Sequence, residues 1–160
     1  MNTANKQARL KAEWMDTEPL KENDAPPLWN PMAAANWSLL LTPVFGAALH
    51  MKNWRALGDE EKAAQSKMWM IASFAILVAM MAAGMVLPES KELDRFTRAV
   101  GMGLLIAWYI TSARTQQNLV KERFGKNYER RGWAKPIGLA VLAMGGLFIV
   151  MMVLALVAGA

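Results

Sequence analysis

Residues 32–55 read MAAANWSLLLTPVFGAALHMKNWR, and this stretch determines how the rest of the chain is arranged. It is apolar enough to enter a membrane, and an Asn-Trp pair stands near each of its ends. Pro43 and Gly46 lie between the two pairs, where they favour a break in a helix. The stretch therefore either crosses the bilayer or dips into it and returns, and the orientation of every later segment depends on which occurs.

The composition is typical of an integral membrane protein. Hydrophobic residues make up 54% of the 160 and charged residues 19%, and the apolar residues come in blocks that would be apolar on every side of a helix. We predict an all-α membrane protein with three transmembrane helices plus a first segment that is re-entrant, interfacial or spanning. A polar N-terminal tail, 1–31, would precede a membrane domain, 32–160, with hydrophobic segments at 32–51, 68–87, 96–113 and 137–160.

Several classes of function are disfavoured by residues that the chain lacks. There is no cysteine and only one histidine, His50, so a thiolate or multi-histidine metal centre is excluded. No hydrophobic segment carries an acid or base at its centre, and no phosphate-binding loop or nucleophile elbow is present. We expect no enzyme activity, no metal and no cofactor. The polar first 31 residues contain no signal peptide, so targeting would depend on the membrane segments.

Local signals predict where helices begin and end. Gly58 is suited to end one helix and Asp59 to cap the next, and Ser90 is a plausible cap for the third. Asp94 and Arg98 are four residues apart and are expected to pair on one helix face.

Basic residues indicate which side of the membrane each loop occupies. If the first segment spans, the side with loops 52–67 and 114–136 holds 11 Lys/Arg and the other side holds 7. If it is re-entrant, the tail joins those loops and fifteen of the 18 basic residues share one side. Because basic residues are retained on the cytoplasmic side, the re-entrant form with a cytoplasmic N-terminus is favoured. A proline-containing spanning helix remains the alternative.

Tryptophans are expected to act as interfacial anchors, because their amphipathic rings prefer the headgroup region. Three of them flank the later segments on the cytoplasmic side, and a re-entrant first segment brings two more to the same belt. The predicted anchors are Trp37, Trp54, Trp69, Trp108 and Trp133.

Polar residues within the first segment are the candidate site, because a polar group in a membrane is costly unless it is paired. They could line a small hydrophilic path. Alternatively, some of them lie at the interface while Ser38 and Thr42 bond their own helix backbone. The candidates are Asn36, Ser38, Thr42, His50 and Asn53.

The segment 114–136 is the most basic part of the chain, and aromatic residues are interleaved in it. Beside membrane helices, this mixture favours anionic lipid headgroups or a protein partner over nucleic acid. The residues concerned are Arg114, Lys121, Arg123, Lys126, Arg130, Arg131 and Lys135.

Residues 30–137 resemble a loose group of small, uncharacterised bacterial inner-membrane proteins. The resemblance lies in Asn36-Trp37-Ser38-Leu39-Leu40, in Pro43-x-x-Gly46, in Asn53-Trp54-Arg55-Ala56-Leu57-Gly58 and in Tyr128-x-x-Arg131-x-Trp133-x-Lys135-Pro136. It implies a bacterial inner membrane and a partly re-entrant first segment, and it supplies no reaction. Some proteins of this kind are linked to secreted toxins as membrane immunity factors.

We therefore expect a multi-pass inner-membrane protein without catalytic activity. It would bind a protein partner at the membrane, for example an immunity or regulatory factor acting on a membrane-active toxin or effector. The tail and the basic loops would form the contact surface. The alternative is a small homo-oligomeric channel or transporter.

Overall fold

The computed structural model describes residues 25–158, which fold as helices without strands. A short π-helical turn, Tyr109–Ala113, separates the third helix from the fourth. The helices are α1 (Pro31–Ala56), α2 (Glu60–Val86), α3 (Lys91–Trp108), α4 (Arg114–Phe124) and α5 (Ala134–Ala158). Most of the predicted tail, residues 1–24, lies outside the described residues.

Helix α1 is interrupted at Thr42 and forms a hairpin of two helical arms, 31–41 and 43–56. Thr42 has φ 75° and ψ 157°, which is not helical, and Pro43 follows it. A proline disfavours the α conformation in the residue before it, so the helix breaks at this point. The arms then fold back on each other, because the Pro31 carbonyl oxygen lies 3.2 Å from Nε2 of His50. A straight first span is therefore excluded, and the hairpin form expected of a re-entrant segment is the one observed.

Helix α2 begins as its sequence predicts and presents a face of small residues to the hairpin. Gly58 has φ 77°, and Asp59 caps the helix by accepting a hydrogen bond from the backbone of Lys62 at 2.9 Å. Ser66 and Ser73 are buried although the helix around them is largely exposed. Their spacing of seven residues places both on one face, so α1 can approach α2 closely there.

The third hydrophobic segment lies within one helical run that extends from α3 through the π turn to α4. Ser90 caps its start, and Asp94 pairs with Arg98 at 3.1 Å, as expected. A π turn contains an extra residue and so rotates the faces of the helix on either side of it. As a result, Trp108 before the turn and Gln116 after it both face the hairpin and are fully buried.

The strap, residues 25–30, joins the segment that leads into α1 to the loop before α5. The backbone N–H of Leu28 donates to the Glu129 carbonyl at 3.0 Å, and that of Arg131 donates to the Leu28 carbonyl at 2.9 Å. Leu28 is fully buried against Val120 and Phe124 of α4. The strap and both ends of α1 therefore share one end of the structure with the basic segment, which we call the basic end.

The protein is an all-α membrane protein. Three helices are long and apolar enough to cross a bilayer by length and composition: α1, α2 and α5. The fold back at Thr42 leaves neither arm of α1 with the roughly 20 residues that a span requires. The predicted span 96–113 is helical throughout, but it is not one of these three helices, because the start of α3 is charged at Lys91, Glu92, Asp94, Arg95 and Arg98. That this segment spans, with Arg98 and Arg114 snorkelling from its two ends, stays a prediction.

Candidate functional site

The site is a buried polar cluster that closes the base of the α1 hairpin. His50 is fully buried, and its Nε2 donates to the carbonyl of Pro31 at 3.2 Å. Because a carbonyl oxygen can only accept, Nε2 carries the hydrogen and Nδ1 is the acceptor in the neutral ring. This contact joins two residues that are 19 positions apart in the chain.

Asn53 and Gln116 continue the cluster across three parts of the chain. The Asn53 side chain accepts from the backbone N–H of Trp29 at 3.0 Å and donates to the Trp29 carbonyl at 2.8 Å. The same amide donates to Oε1 of Gln116 at 3.1 Å, and Gln116 donates in turn to the carbonyl of His50 at 2.9 Å. Two neutral amides thus fasten the strap, the second arm of α1 and α4 together, and the contact of His50 with Pro31 adds the first arm.

The indole ring of Trp108 packs against the cluster at His50. Its ring meets that of His50 edge to face, with centroids 5.4 Å apart and planes inclined at 68°. Gly46 lies directly against Trp108 and Ser38, and a Cβ at this position would clash with both side chains. The glycine is therefore required by the close approach of the two arms, and not only by the local backbone.

Two polar atoms at the centre have no hydrogen-bond partner within the described residues, Nδ1 of His50 and Nε1 of Trp108. They are complementary, because the first accepts and the second donates. The hydroxyls of Ser66 and Ser73 on α2 are likewise without a partner there. Buried polar groups in proteins normally have a hydrogen-bond partner, so these four atoms are exceptions.

The predicted polar candidates do not converge on one path. Asn36 is exposed on the outer side of the first arm, and Thr42 lies at the hairpin turn. Ser38 is buried and donates to the carbonyl of Ala34 at 2.9 Å, which matches the alternative in which it bonds its own helix. Only His50 and Asn53 belong to the cluster, where both are bonded to backbone groups.

Two of the five predicted tryptophan anchors are buried in the protein, and for these the prediction is wrong. Trp108 is fully buried beside His50, and Trp54 is 2% exposed with the ammonium of Lys62 4.7 Å from its ring centroid. Interior packing, not the interface, holds both side chains. Trp37, Trp69 and Trp133 are half-buried and each packs against a core cluster, so they retain a surface that can reach the headgroup region.

The basic segment lies across the basic end with most of its cations exposed. On α4, Val120 and Phe124 face inward, while Arg114, Lys121 and Arg123 lie on the exposed side. In the loop that follows, Arg131 is half-buried over Trp29, and the remaining cations, Lys126, Arg130 and Lys135, are exposed. A role of these residues in headgroup or partner contact stays a prediction.

Tyr128, in the same loop, has a hydroxyl group whose pKa is shifted. Burial raises its pKa, and this outweighs the opposing charge of Arg130, whose guanidinium lies 5.8 Å from the ring centroid. The phenol is therefore neutral at physiological pH.

Sequence reasoning missed Gln116 and Trp29, which hold the cluster together. Gln116, Val120 and Phe124 recur every four residues, which is the spacing of an inward helix face, but they lie within a segment dominated by charge. Trp29 gives no such signal. Its indole N–H donates to the Gly132 carbonyl at 3.1 Å, a partner 103 residues away.

Comparison with protein-family models, with curated proteins and with solved structures gives no match. Within residues 25–158, no group of three His, Asp or Glu lies where it could hold a metal ion. The cluster is neutral. It holds the strap, α1 and α4 together by hydrogen bonds between side-chain amides, one imidazole and the backbone.

Proposed function

We propose that the protein is a non-catalytic membrane protein that binds a partner protein within the bilayer through α5. The observation that supports this most directly is that α5 is long and apolar, yet none of its residues between Ala134 and Val157 is buried. Its packing on the core clusters involves its first turns, where Ile137 and Ala140 lie against α1. Membrane helices are stabilised by close packing on one another, so α5 has surface available for another helix.

The outer face of α5 has the composition of a helix-packing surface. It consists of residues spaced three or four apart: Gly138, Val141, Leu142, Gly145 and Ile149. A Cβ added at either glycine would meet no atom within 4 Å, so both glycines are open. Val141, Leu142 and Ile149 are exposed beside them. Small residues between larger apolar ones let the backbone of a second helix approach closely.

The location that we propose is the bacterial inner membrane, with the N-terminus in the cytoplasm. The hairpin brings the strap and both basic loops to the basic end, so eleven of the fourteen Lys/Arg within residues 25–158 belong to the loops on that side. This asymmetry supports a cytoplasmic basic end. The exposed cations there would add polar contacts to a partner at the membrane boundary.

A photocrosslinking amino acid at Leu142 tests the proposal in native membranes. Ile106 on α3 is a matched control, because both positions are exposed. Leu142 lies eight residues after Ala134, the first residue of α5, and Ile106 lies eight residues before Arg114, the first residue of α4, which is about 12 Å in each case. We expect a protein adduct from Leu142 and none from Ile106. The further variant Gly145→Leu should abolish the adduct by filling the outer face.

The products of this experiment separate the possible outcomes. An adduct with a different protein, lost in Gly145→Leu, supports the proposal. An adduct of twice the chain mass would identify a homo-oligomer and contradict it. Equal adducts from both positions, or lipid adducts alone, would also contradict it.

A membrane-active toxin or effector is the class of partner that we propose for this surface. Expression of the chain would then protect cells against one such protein, and Gly145→Leu would remove the protection while Gly101→Ala kept it. Protection by both variants would exclude the outer face of α5 as the neutralising surface.

A further inference from the structure

A narrow apolar cleft lies on the opposite side of α5 from its outer face. It is an open cleft lined by the turn and second arm of α1, by α2 and by α5, and its volume is about 510 Å³. This is within the range of about 300–1,000 Å³ that ligand sites occupy. Its walls include Phe45 and Leu49 of α1, Phe74 and Leu77 of α2, and Leu139 and Leu147 of α5.

The length of the cleft corresponds to one leaflet of a bilayer. Its lining runs from residue 41 to 52 on α1 and from 136 to 147 on α5. On α5, eleven helical steps are about 16 Å, which is close to half of the roughly 30 Å hydrocarbon core. The lining therefore starts at the basic end, with Lys52 and Pro136, and extends over about the depth of one leaflet.

The mouth of the cleft is positively charged. Lys52 is part of its lining, and its ammonium lies 5.8 Å from the ring centroid of Trp29. Arg131 does not itself line the cleft, but its guanidinium lies 4.7 Å from the same centroid, so the ring of Trp29 contacts both cations. The ion pairs within residues 25–158 are Lys62–Asp59 and Arg98–Asp94, so neither cation has a carboxylate partner there.

We propose that this cleft binds one anionic phospholipid, with an acyl chain along the apolar walls and the phosphate at Lys52, with Arg131 nearby as a second cation. Two unpaired cations above an apolar slot of one-leaflet depth match the two parts of such a lipid. The indole of Trp29 contacts both cations at the headgroup level, where such rings prefer to lie.

The composition and charge of the cleft favour a lipid over a protein helix. Its lining is apolar except for Thr42 and Lys52, and Lys52 lies at the basic end, where the headgroup of a lipid would be placed. A partner helix fits the outer face of α5, where open glycines alternate with larger apolar residues.

Native mass spectrometry of the full chain in detergent tests the proposal, with phosphatidylglycerol and phosphatidylcholine as probes. We expect one phosphatidylglycerol to stay bound and phosphatidylcholine to be retained weakly. The pair Lys52→Gln with Arg131→Gln should lower the phosphatidylglycerol-bound fraction about tenfold, and Lys52→Arg with Arg131→Lys should preserve it. Ala143→Trp, which fills the cleft, should remove both lipids.

The control is the pair Lys67→Gln with Arg95→Gln, which removes one lysine and one arginine charge from exposed positions outside the cleft and outside the basic segment. It should leave lipid retention unchanged. An equal loss in the control would show diffuse attraction and overturn the site. Equal retention of the two lipids, or a protein adduct from a photocrosslinker at Leu139, would also overturn it. A gel-filtration profile like that of the unaltered chain confirms that each variant is folded.

Discussion

The carbonyl oxygen of Pro31 and Nε2 of His50 lie 3.2 Å apart, although 19 residues separate them in an apolar helix-forming stretch. In a continuous helix the same atoms would be nearly 30 Å apart at about 1.5 Å per residue. The contact therefore distinguishes a hairpin from a span by itself. It also places the start of the membrane domain and the second Asn-Trp pair at one end of the protein.

Thr42→Gly should stabilise the protein. A β-branched residue at φ 75° and ψ 157° occupies a backbone region that is essentially restricted to glycine, at a cost of about 1–3 kcal/mol. Removing Cβ relieves that cost, so we expect a higher midpoint in a detergent unfolding titration. Thr97→Gly, in the regular part of α3, should lower the midpoint instead. A drop in both variants would mean that α1 is a continuous helix.

Gly46→Ala should destabilise the hairpin by about 1–3 kcal/mol, because its Cβ would clash with Ser38 and Trp108. Gly101→Ala serves as the control, since a Cβ at Gly101 meets nothing within 4 Å. Thermal unfolding in detergent measures both variants. If Gly46→Ala is as stable as the control, the two arms do not pack as described.

Gln116→Ala should loosen the cluster, because it removes the donor to the His50 carbonyl and the acceptor for Asn53. Leaving buried polar groups unpaired costs about 1–3 kcal/mol each, so we expect a large drop in melting temperature. Asn118→Ala, an exposed amide in the same helix, should change it little. Similar melting temperatures for the two variants would show that the amide bonds contribute nothing to stability.

Leu28→Ala should release the strap. Leu28 is fully buried with Val120 and Phe124, and such truncations cost about 2–5 kcal/mol. Hydrogen exchange should then accelerate at Arg131, whose amide bonds the Leu28 carbonyl. The amides of α2 should be unaffected. Unchanged exchange at Arg131 would show that this pairing does not depend on the side chain of Leu28.

Cysteine labelling should place the strap and the basic segment on the same side of the membrane. The chain has no native cysteine, so Ala25→Cys, Lys126→Cys and Glu89→Cys each report one position. We expect an impermeant thiol reagent applied from the periplasm to label only Glu89→Cys. Labelling of Ala25→Cys from the periplasm would contradict both the hairpin topology and the proposed cytoplasmic N-terminus.

Local features of the fold could be predicted from the sequence. The caps by Asp59 and Ser90 and the pair Asp94–Arg98 form as expected. Each involves residues three or four positions apart, so the helix geometry alone brings the partners together. The break at Thr42 was also signalled, because Pro43 restricts its neighbour wherever it occurs.

The composition of the site could not be predicted in the same way. The amide of Gln116 bonds groups 63 and 66 residues away, and no local pattern indicates those partners. Hydropathy and aromatic content place Trp54 and Trp108 near the ends of apolar segments. They do not show which side of its helix each residue occupies, and that is why the prediction of interfacial anchors failed for both.

The sequence by itself determined the class of protein and the approximate extent of its membrane segments. These depend on the transfer of apolar residues into lipid, which is a property of each segment taken alone. Tertiary structure decided that the first segment closes into a hairpin, that His50, Asn53 and Gln116 meet, and that an apolar cleft with Lys52 in its lining opens beside α5. These features depend on which helix faces lie against one another, and that choice is made by packing between residues far apart in the chain.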